Sequence, residues 1–342
     1  MSTSSSSSSF LDWTKSNLFQ NAWSGTCCSS SGKYVFVSQN DMGDSSIYYS
    51  TDYGVNFTVS DTPGYDYNGV CCSDDGSRVY AIDGSYGYMW YSTNYGVNWT
   101  QGTLFSNNSY ISCSGDGSKA YIYNGATGAI YYSSNYGIDW NLSNNNISTI
   151  RSIKCSYDGT RVYLSADSSG SIYYSTNSGL DFTISNSPVT DWNGIACSDD
   201  GSKVYACSLS YMYYSTNYGV DWTVSNSISA TWIKVACSAN GEKLYASSLS
   251  GTYYSSDYGV NWINSSGSLN LFAIDCSGSA NRCYGTGSTG FFYYTGFADP
   301  VPSTSSSSSS SAIEQFNPAG YACINVNGVK KYLPIYSLSY IH

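Results

Sequence analysis

An all-β fold, a seven-bladed β-propeller closed by its own N-terminal strand, is what this sequence of 342 residues predicts. Three observations predict it. First, Tyr (37) and Gly (33) abound while Met (4) and His (1) are scarce, a composition that favours strands and tight turns over helices. Second, a motif of the form Tyr213-Tyr214-Ser215-Thr216-Asn217-Tyr218-Gly219-Val220-Asp221-Trp222 recurs every 40–42 residues, its glycines falling at Gly54, Gly96, Gly137, Gly179, Gly219 and Gly259. Third, a seventh copy opens at Tyr293-Tyr294-Thr295-Gly296 and breaks off, and its missing half, Asp12-Trp13-Thr14, stands at the other end of the chain. An open stack of repeats would instead need atypical capping units at both ends.

The elements follow in order along one unit. Strand a, 195–198, carries a cysteine that recurs at Cys28, Cys72, Cys113, Cys155, Cys197, Cys237 and Cys276. An Asp-Gly or Asn-Gly turn follows in most units (Asp75-Gly76, Asp116-Gly117, Asp158-Gly159, Asn240-Gly241), where glycine takes a positive φ at little cost. Strand b is 203–207, strand c is 212–215 and strand d is 221–225. Residues 10–15 supply the outer strand of the split blade, because an unclosed ring leaves unpaired strand edges. The domain limits are 1–9 for a Ser-rich segment, 10–296 for the propeller, 297–311 for a Ser-rich linker and 312–342 for a C-terminal hairpin tail. Serine runs bury no apolar surface and act as flexible spacers.

The turn between strands c and d has the form Ser-x-Asp-x-Gly-x-x-Trp, as in Ser50-Thr51-Asp52-Tyr53-Gly54-Val55-Asn56-Phe57 and Ser255-Ser256-Asp257-Tyr258-Gly259-Val260-Asn261-Trp262. This resembles the Asp-box of sialidase-like (BNR) propellers. Asn94, Asn135, Asn177 and Asn217 take the place of Asp52 and Asp257 in the other four copies. The resemblance implies a propeller in which these six residues are structural, bonding local backbone while the aromatic plugs the blade.

It also requires a test for sialidase chemistry. Such an enzyme clamps a carboxylate with three arginines and uses a tyrosine supported by Glu together with an acidic acid/base residue. Of the four arginines, Arg78, Arg161 and Arg282 repeat one position after the a–b turn, shared with Lys33, Lys119, Lys203 and Lys243, and read as scaffold charges on a solvated rim. Only Arg151 lies elsewhere. Glu242 and Glu314 fall in a turn and in the tail, and the one histidine is His342. No catalytic residues, cofactor or metal site are therefore expected, and the chain reads as a non-enzyme. A net charge of −10 opposes nucleic-acid binding, no apolar run reaches the length of a membrane span, and no signal peptide opens the chain.

The strand-a cysteines read as buried free thiols, since equivalent positions on neighbouring blades are expected beyond the roughly 7 Å Cα separation that a bridge tolerates. Cys276 and Cys283 flank one hairpin and could face each other. Five residues before each cysteine stand Trp23, Tyr67, Asn108, Ile150, Trp192, Trp232 and Leu271. Two readings are open for them: wedges between blades, or, for Trp23, Tyr67, Trp192 and Trp232, an aromatic mouth that stacks on glycans or packs a peptide.

In the tail, Asn327-Gly328 between alternating runs signals a hairpin with Ile324, Val326, Val329 and Leu333 on one side. Near-identical repeats, serine runs and this tail make the chain similar to propellers encoded by large DNA viruses and some phages. The resemblance implies a virion or capsid-associated protein, assembled in the cytoplasm and tethered through its tail to other structural proteins. A lectin or sialidase-like glycan-processing enzyme is the alternative.

Overall fold

The computed structural model describes residues 13–41, 45–105, 109–167, 170–265, 269–296, 315–317, 321–326 and 329–334. They form seven four-stranded antiparallel sheets, each in the order a-b-c-d, and a separate three-stranded sheet. Blades 1 to 6 run through residues 23–59, 67–104, 109–146, 150–184, 192–224 and 232–264. Blade 7 contains strands Leu271–Cys276, Arg282–Gly287 and Phe292–Gly296, and Trp13–Lys15 is its outer strand. The register there is Trp13↔Thr295, Thr14↔Tyr294 and Lys15↔Tyr293. The chain divides into two compact units, Met1–Phe297 and Ala298–His342.

Each blade is apolar on both faces because it is sandwiched between two others, so strand b is buried throughout, as in Val204–Ser208. The core accordingly lies between blades. Tyr205 and Met212 of blade 5 pack with Trp232, Val235, Leu244 and Tyr253 of blade 6. A tyrosine of strand b spans most of the seams: the hydroxyls of Tyr80, Tyr163, Tyr205 and Tyr284 donate to the carbonyls of Gly117, Gly201, Gly241 and Gly32 in the next blade at 2.6–2.7 Å. Blade 1 has Phe36 at this place.

The basic residue after the a–b turn also crosses a seam. Arg282, Arg78 and Arg161 lie over the rings of Tyr53, Tyr136 and Tyr218 at 4.1, 3.9 and 3.8 Å, and Lys203 lies 5.1 Å over Tyr258. Lys119 donates to Ser178 at 3.2 Å and Lys243 to Asn281 at 3.1 Å. These side chains are scaffold, as expected, but they are cation–π and hydrogen-bonding clamps between blades, not solvated rim charges. In blade 1 the clamping position is taken by Tyr34, whose ring stands 4.5 Å from that of Tyr95, and Lys33 is one residue off it.

Two residues past each strand-a cysteine the backbone closes on itself. Ser30 N–H donates to Asp74 C=O, Asp74 to Gly115, Gly115 to Tyr157, Tyr157 to Asp199, Asp199 to Ala239, Ala239 to Gly278 and Gly278 back to Ser30, all at 2.7–2.8 Å. With neighbouring strands about 4.8 Å apart, seven of them set a ring about 11 Å across between Cα atoms. The inner strands therefore converge to hydrogen-bonding distance just past the cysteines, and the expectation that equivalent positions stay beyond bridging range is corrected. The cysteines of the propeller are nevertheless free thiols, Cys276 and Cys283 included, although those two are directly paired across strands.

The candidate site: the central channel

The seven a strands stand around the axis, each paired on one side only, so their inner edges line a central channel with unpaired backbone groups. The wide half is a cavity of about 600 Å³ bordered by all seven strands. The narrow half, about 120 Å³, lies at the level of the cysteines and the hydrogen-bonded ring.

Channel-facing side chains vary from blade to blade where packing residues repeat. One residue before the cysteine, the seven copies are Cys27, Cys71, Ser112, Lys154, Ala196, Ala236 and Asp275. Lys154 and Asp275 thus face the lumen at one level from blades 4 and 7. Burial works against the Lys154 ammonium, but Asp275 and the surrounding thiols outweigh it and hold its pKa above the usual lysine value. Burial raises the Asp275 pKa against the pull of Lys154, and its carboxylate accepts the Cys28 N–H at 2.9 Å.

Toward the wide mouth stand Asn68, Tyr110, Arg151, Asn193 and Lys234. Arg151 Nε donates to Asp167 Oδ2 at 2.7 Å, and this is the one ion pair among the described residues. Lys234 Nζ has a long contact of 3.4 Å to the Asn193 carbonyl. Burial depresses the Lys234 pKa; Cys207 opposes the shift and the Arg151 charge adds to it. At the narrow end burial pushes Asp74 up to about 6, with Asp199 adding to the shift and Lys154 opposing it. The channel is consequently cationic at its wide end and carboxylate-bearing at its narrow end.

The four candidate mouth aromatics lie elsewhere. Trp192 and Trp232 are 0% exposed, Tyr67 is 0% and Trp23 is 6%. Trp192 packs with Tyr163 and Ile172 of the preceding blade, Tyr67 with Ile47, and Trp23 with Tyr284 and Phe292. They are wedges between blades, and the reading of an accessible stacking mouth is corrected. The cause is a β-bulge invisible to alternation: Trp192 pairs with Ser208 and Gly194 with Cys207, so one residue is skipped and the indole turns from the channel-side series into the seam. The same shift occurs at Trp23, Tyr67, Ile150, Trp232 and Leu271, whereas Asn108 lies outside the described residues.

The six c–d turn residues are local backbone binders. Asp52 Oδ1 accepts the Asn56 N–H at 2.9 Å, and Asp257 accepts that of Asn261 at 2.9 Å. Asn94, Asn135, Asn177 and Asn217 accept the equivalent N–H at 2.9–3.0 Å. Among the described residues no group of His, Cys, Asp or Glu is arranged to hold a metal ion. In the tail, strands Tyr321–Val326 and Val329–Pro334 pair as expected, with Val326↔Val329, Ile324↔Lys331 and Ala322↔Leu333, so positions 324, 326, 329 and 333 share one sheet face. A third strand, Gln315–Asn317, pairs with Tyr321–Val326 and was not legible from sequence. The turn at Asn327-Gly328 lies outside the described residues.

Comparison with known proteins places the architecture. No family model and no curated protein matches the chain. Among solved structures, YCF48 from Cyanidioschyzon merolae is similar at a TM-score of 0.66 and 16% identity, over 83% of this chain and 98% of that one. YCF48 bound to a D1 peptide is similar at 0.65 and 14%, over 84% and 97%. The GH74 enzyme of Niastella koreensis is similar at 0.61 and 19%, over 80% of this chain but only 43% of its own length. The likeness is one of fold.

Proposed function

We propose that this chain is a non-enzymatic binding propeller, displayed on a larger protein assembly and joined to it through residues 312–342. The observation that carries the reading is the tail. Its residues belong to a compact unit of their own, Ala298–His342, built on a three-stranded sheet. A sheet so small buries little by itself, and strands at its edges offer main-chain groups to another protein's sheet. Ile324, Val326, Val329 and Leu333 share the face proposed for that contact. The solved complex of YCF48 with a D1 peptide supports protein binding as work this fold can do. The resemblance to virus-encoded propellers points to a virion or capsid as the assembly, with other structural proteins as partners.

The glycan reading loses its carrying residues, since Trp23, Tyr67, Trp192 and Trp232 are buried. Truncation after Ser311 tests the proposal. The propeller should keep its melting temperature and no longer co-purify with its assembly; incorporation at the full-length level would overturn the reading. Mass spectrometry of purified particles identifies the assembly.

A further inference from the structure

We propose that the wide half of the central channel is a binding site for a compact multivalent anion, one that carries several phosphate or carboxylate groups, held by Arg151, Lys154 and Lys234. The site is independent of the tail and of whatever the tail joins.

The distribution of positive charge is the first argument. The chain has 13 basic residues against a net charge of −10. Lys33, Arg78, Lys119, Arg161, Lys203, Lys243 and Arg282 stand at the a–b turns, Lys15 lies over Phe291, and Lys330 and Lys331 are in the tail. The three that remain are Arg151, Lys154 and Lys234, and all three border the same cavity. None occupies a position where its repeat equivalents are basic: Arg151 corresponds to Asn68 and Asn193, Lys154 to Ala196 and Ala236, and Lys234 to Gly25 and Gly194. The scaffold is built in other blades without these charges, so packing does not explain them.

The second argument is what they lack. Arg151 and Lys154 are exposed to the lumen and Lys234 is half-buried, so all three can present their charge to a ligand that enters it. Arg151 has Asp167, but neither lysine is in an ion pair among the described residues; Lys234 has its long bond to the Asn193 carbonyl and lies 6.0 Å over the Tyr110 ring. One carboxylate, Asp275, faces the three cations from the cavity wall, and it already accepts the Cys28 N–H. An anion entering from the wide mouth meets two lysines with free donors and an arginine with further N–H groups, in a lumen that concentrates the field. Asp74 and Asp199 beyond the ring repel it from the narrow end and confine it to the wide half. A volume of about 600 Å³ lies in the range of small-molecule sites, which favours a compact ligand over a threaded chain.

Calorimetric titration of the full chain with tripolyphosphate and, separately, with citrate tests this. Saturable binding of one molecule is expected, for tripolyphosphate if the site selects phosphate and for citrate if it selects carboxylate. Lys154→Gln and Lys234→Gln should each weaken it by roughly tenfold or more, the usual loss for a charge-assisted hydrogen bond. Lys243→Gln, an equal change of charge at an a–b turn, should leave affinity unaltered. Asp275→Asn should tighten binding by removing the opposing charge, a gain that no misfolded variant can imitate. The proposal is overturned if neither anion binds, or if the lumen variants bind like Lys243→Gln.

Discussion

At the scale of single residues, the c–d turn shows how one short motif meets two demands together. Two successive residues take the left-handed conformation, as at Tyr218 (φ 64°) and Gly219 (φ 77°). The tyrosine is held there by the Arg161 guanidinium over its ring. The glycine is required twice over, because a Cβ would also come within 3.0 Å of the Tyr163 ring in the preceding blade. Gly219→Ala should therefore lower stability by about 1–2 kcal/mol from backbone strain alone, and by more once the ring is displaced. Gly69, on a channel strand, has nothing within 4 Å of its would-be Cβ, and Gly69→Ala should be close to neutral. Thermal unfolding of the two variants side by side checks the contrast. The side chains of the motif are complementary as well. Asp52 and Asp257 accept from the amides of Asn56 and Asn261, and where Asn takes their place, as at Asn135, Asn177 and Asn217, it donates to Asp139, Asp181 and Asp221. In those five turns the exchange keeps one charge and one amide; the Asn94 turn has Asn98 opposite and no charge, yet Asn94 still accepts the Asn98 N–H at 3.0 Å, so the Asp-to-Asn changes do not signal loss of the motif.

At the scale of elements, the outer strand of blade 7 and the inner ring close the propeller by different means. Trp13–Lys15 pairs with Phe292–Gly296, and Trp13 sets its ring edge-on to Tyr245 at 6.2 Å. The ring closes separately, through Gly278 N–H to Ser30 C=O and through Tyr284 to Gly32. Deleting residues 1–16 should expose the edge of Phe292–Gly296, lower the melting temperature and promote self-association, without opening the inner ring. Hydrogen exchange distinguishes the two layers: the amide of Gly278 should stay protected while the Phe292–Gly296 amides that point toward Trp13–Lys15 lose protection. An unchanged melting temperature would show that the outer strand contributes nothing to closure. Strand existence and order were legible from the repeat, because each blade repeats the same apolar pattern. The early start of strand a at Trp192, three residues before the position read from sequence, was not legible, because the bulge that carries it leaves no mark in the alternation.

At the scale of the molecule, the channel concentrates what the repeats do not share. Its narrow end holds Asp74, whose pKa burial lifts to about 6, and Asp199, raised for the same first reason. The sign follows from linkage. A carboxyl whose folded pKa exceeds its unfolded value binds protons more tightly in the folded state, so stability declines as pH rises from about 4 to about 6. Above that window the ionised pair is a standing cost. Asp74→Asn should thus raise the melting temperature at pH 7 by more than at pH 4.5, and it should flatten the pH dependence between them. Differential scanning calorimetry at the two pH values measures this directly; an equal shift at both would remove Asp74 from the account.

The sequence by itself determined the fold class, the number of blades, the split seventh blade and the structural role of the c–d turns. These rest on periodicity and on local backbone chemistry, both written along the chain. Tertiary structure alone decided which side of a blade Trp23, Tyr67, Trp192 and Trp232 occupy, that the a–b cations clamp neighbouring tyrosines, and that Arg151, Lys154 and Lys234 meet in one lumen. Arg151 and Lys154 share a strand of blade 4, but Lys234 stands 80 positions beyond Lys154 (234 − 154) on blade 6, and only closure of the ring gives them a common axis. A repeat announces what its copies share, whereas the channel is lined by what they do not.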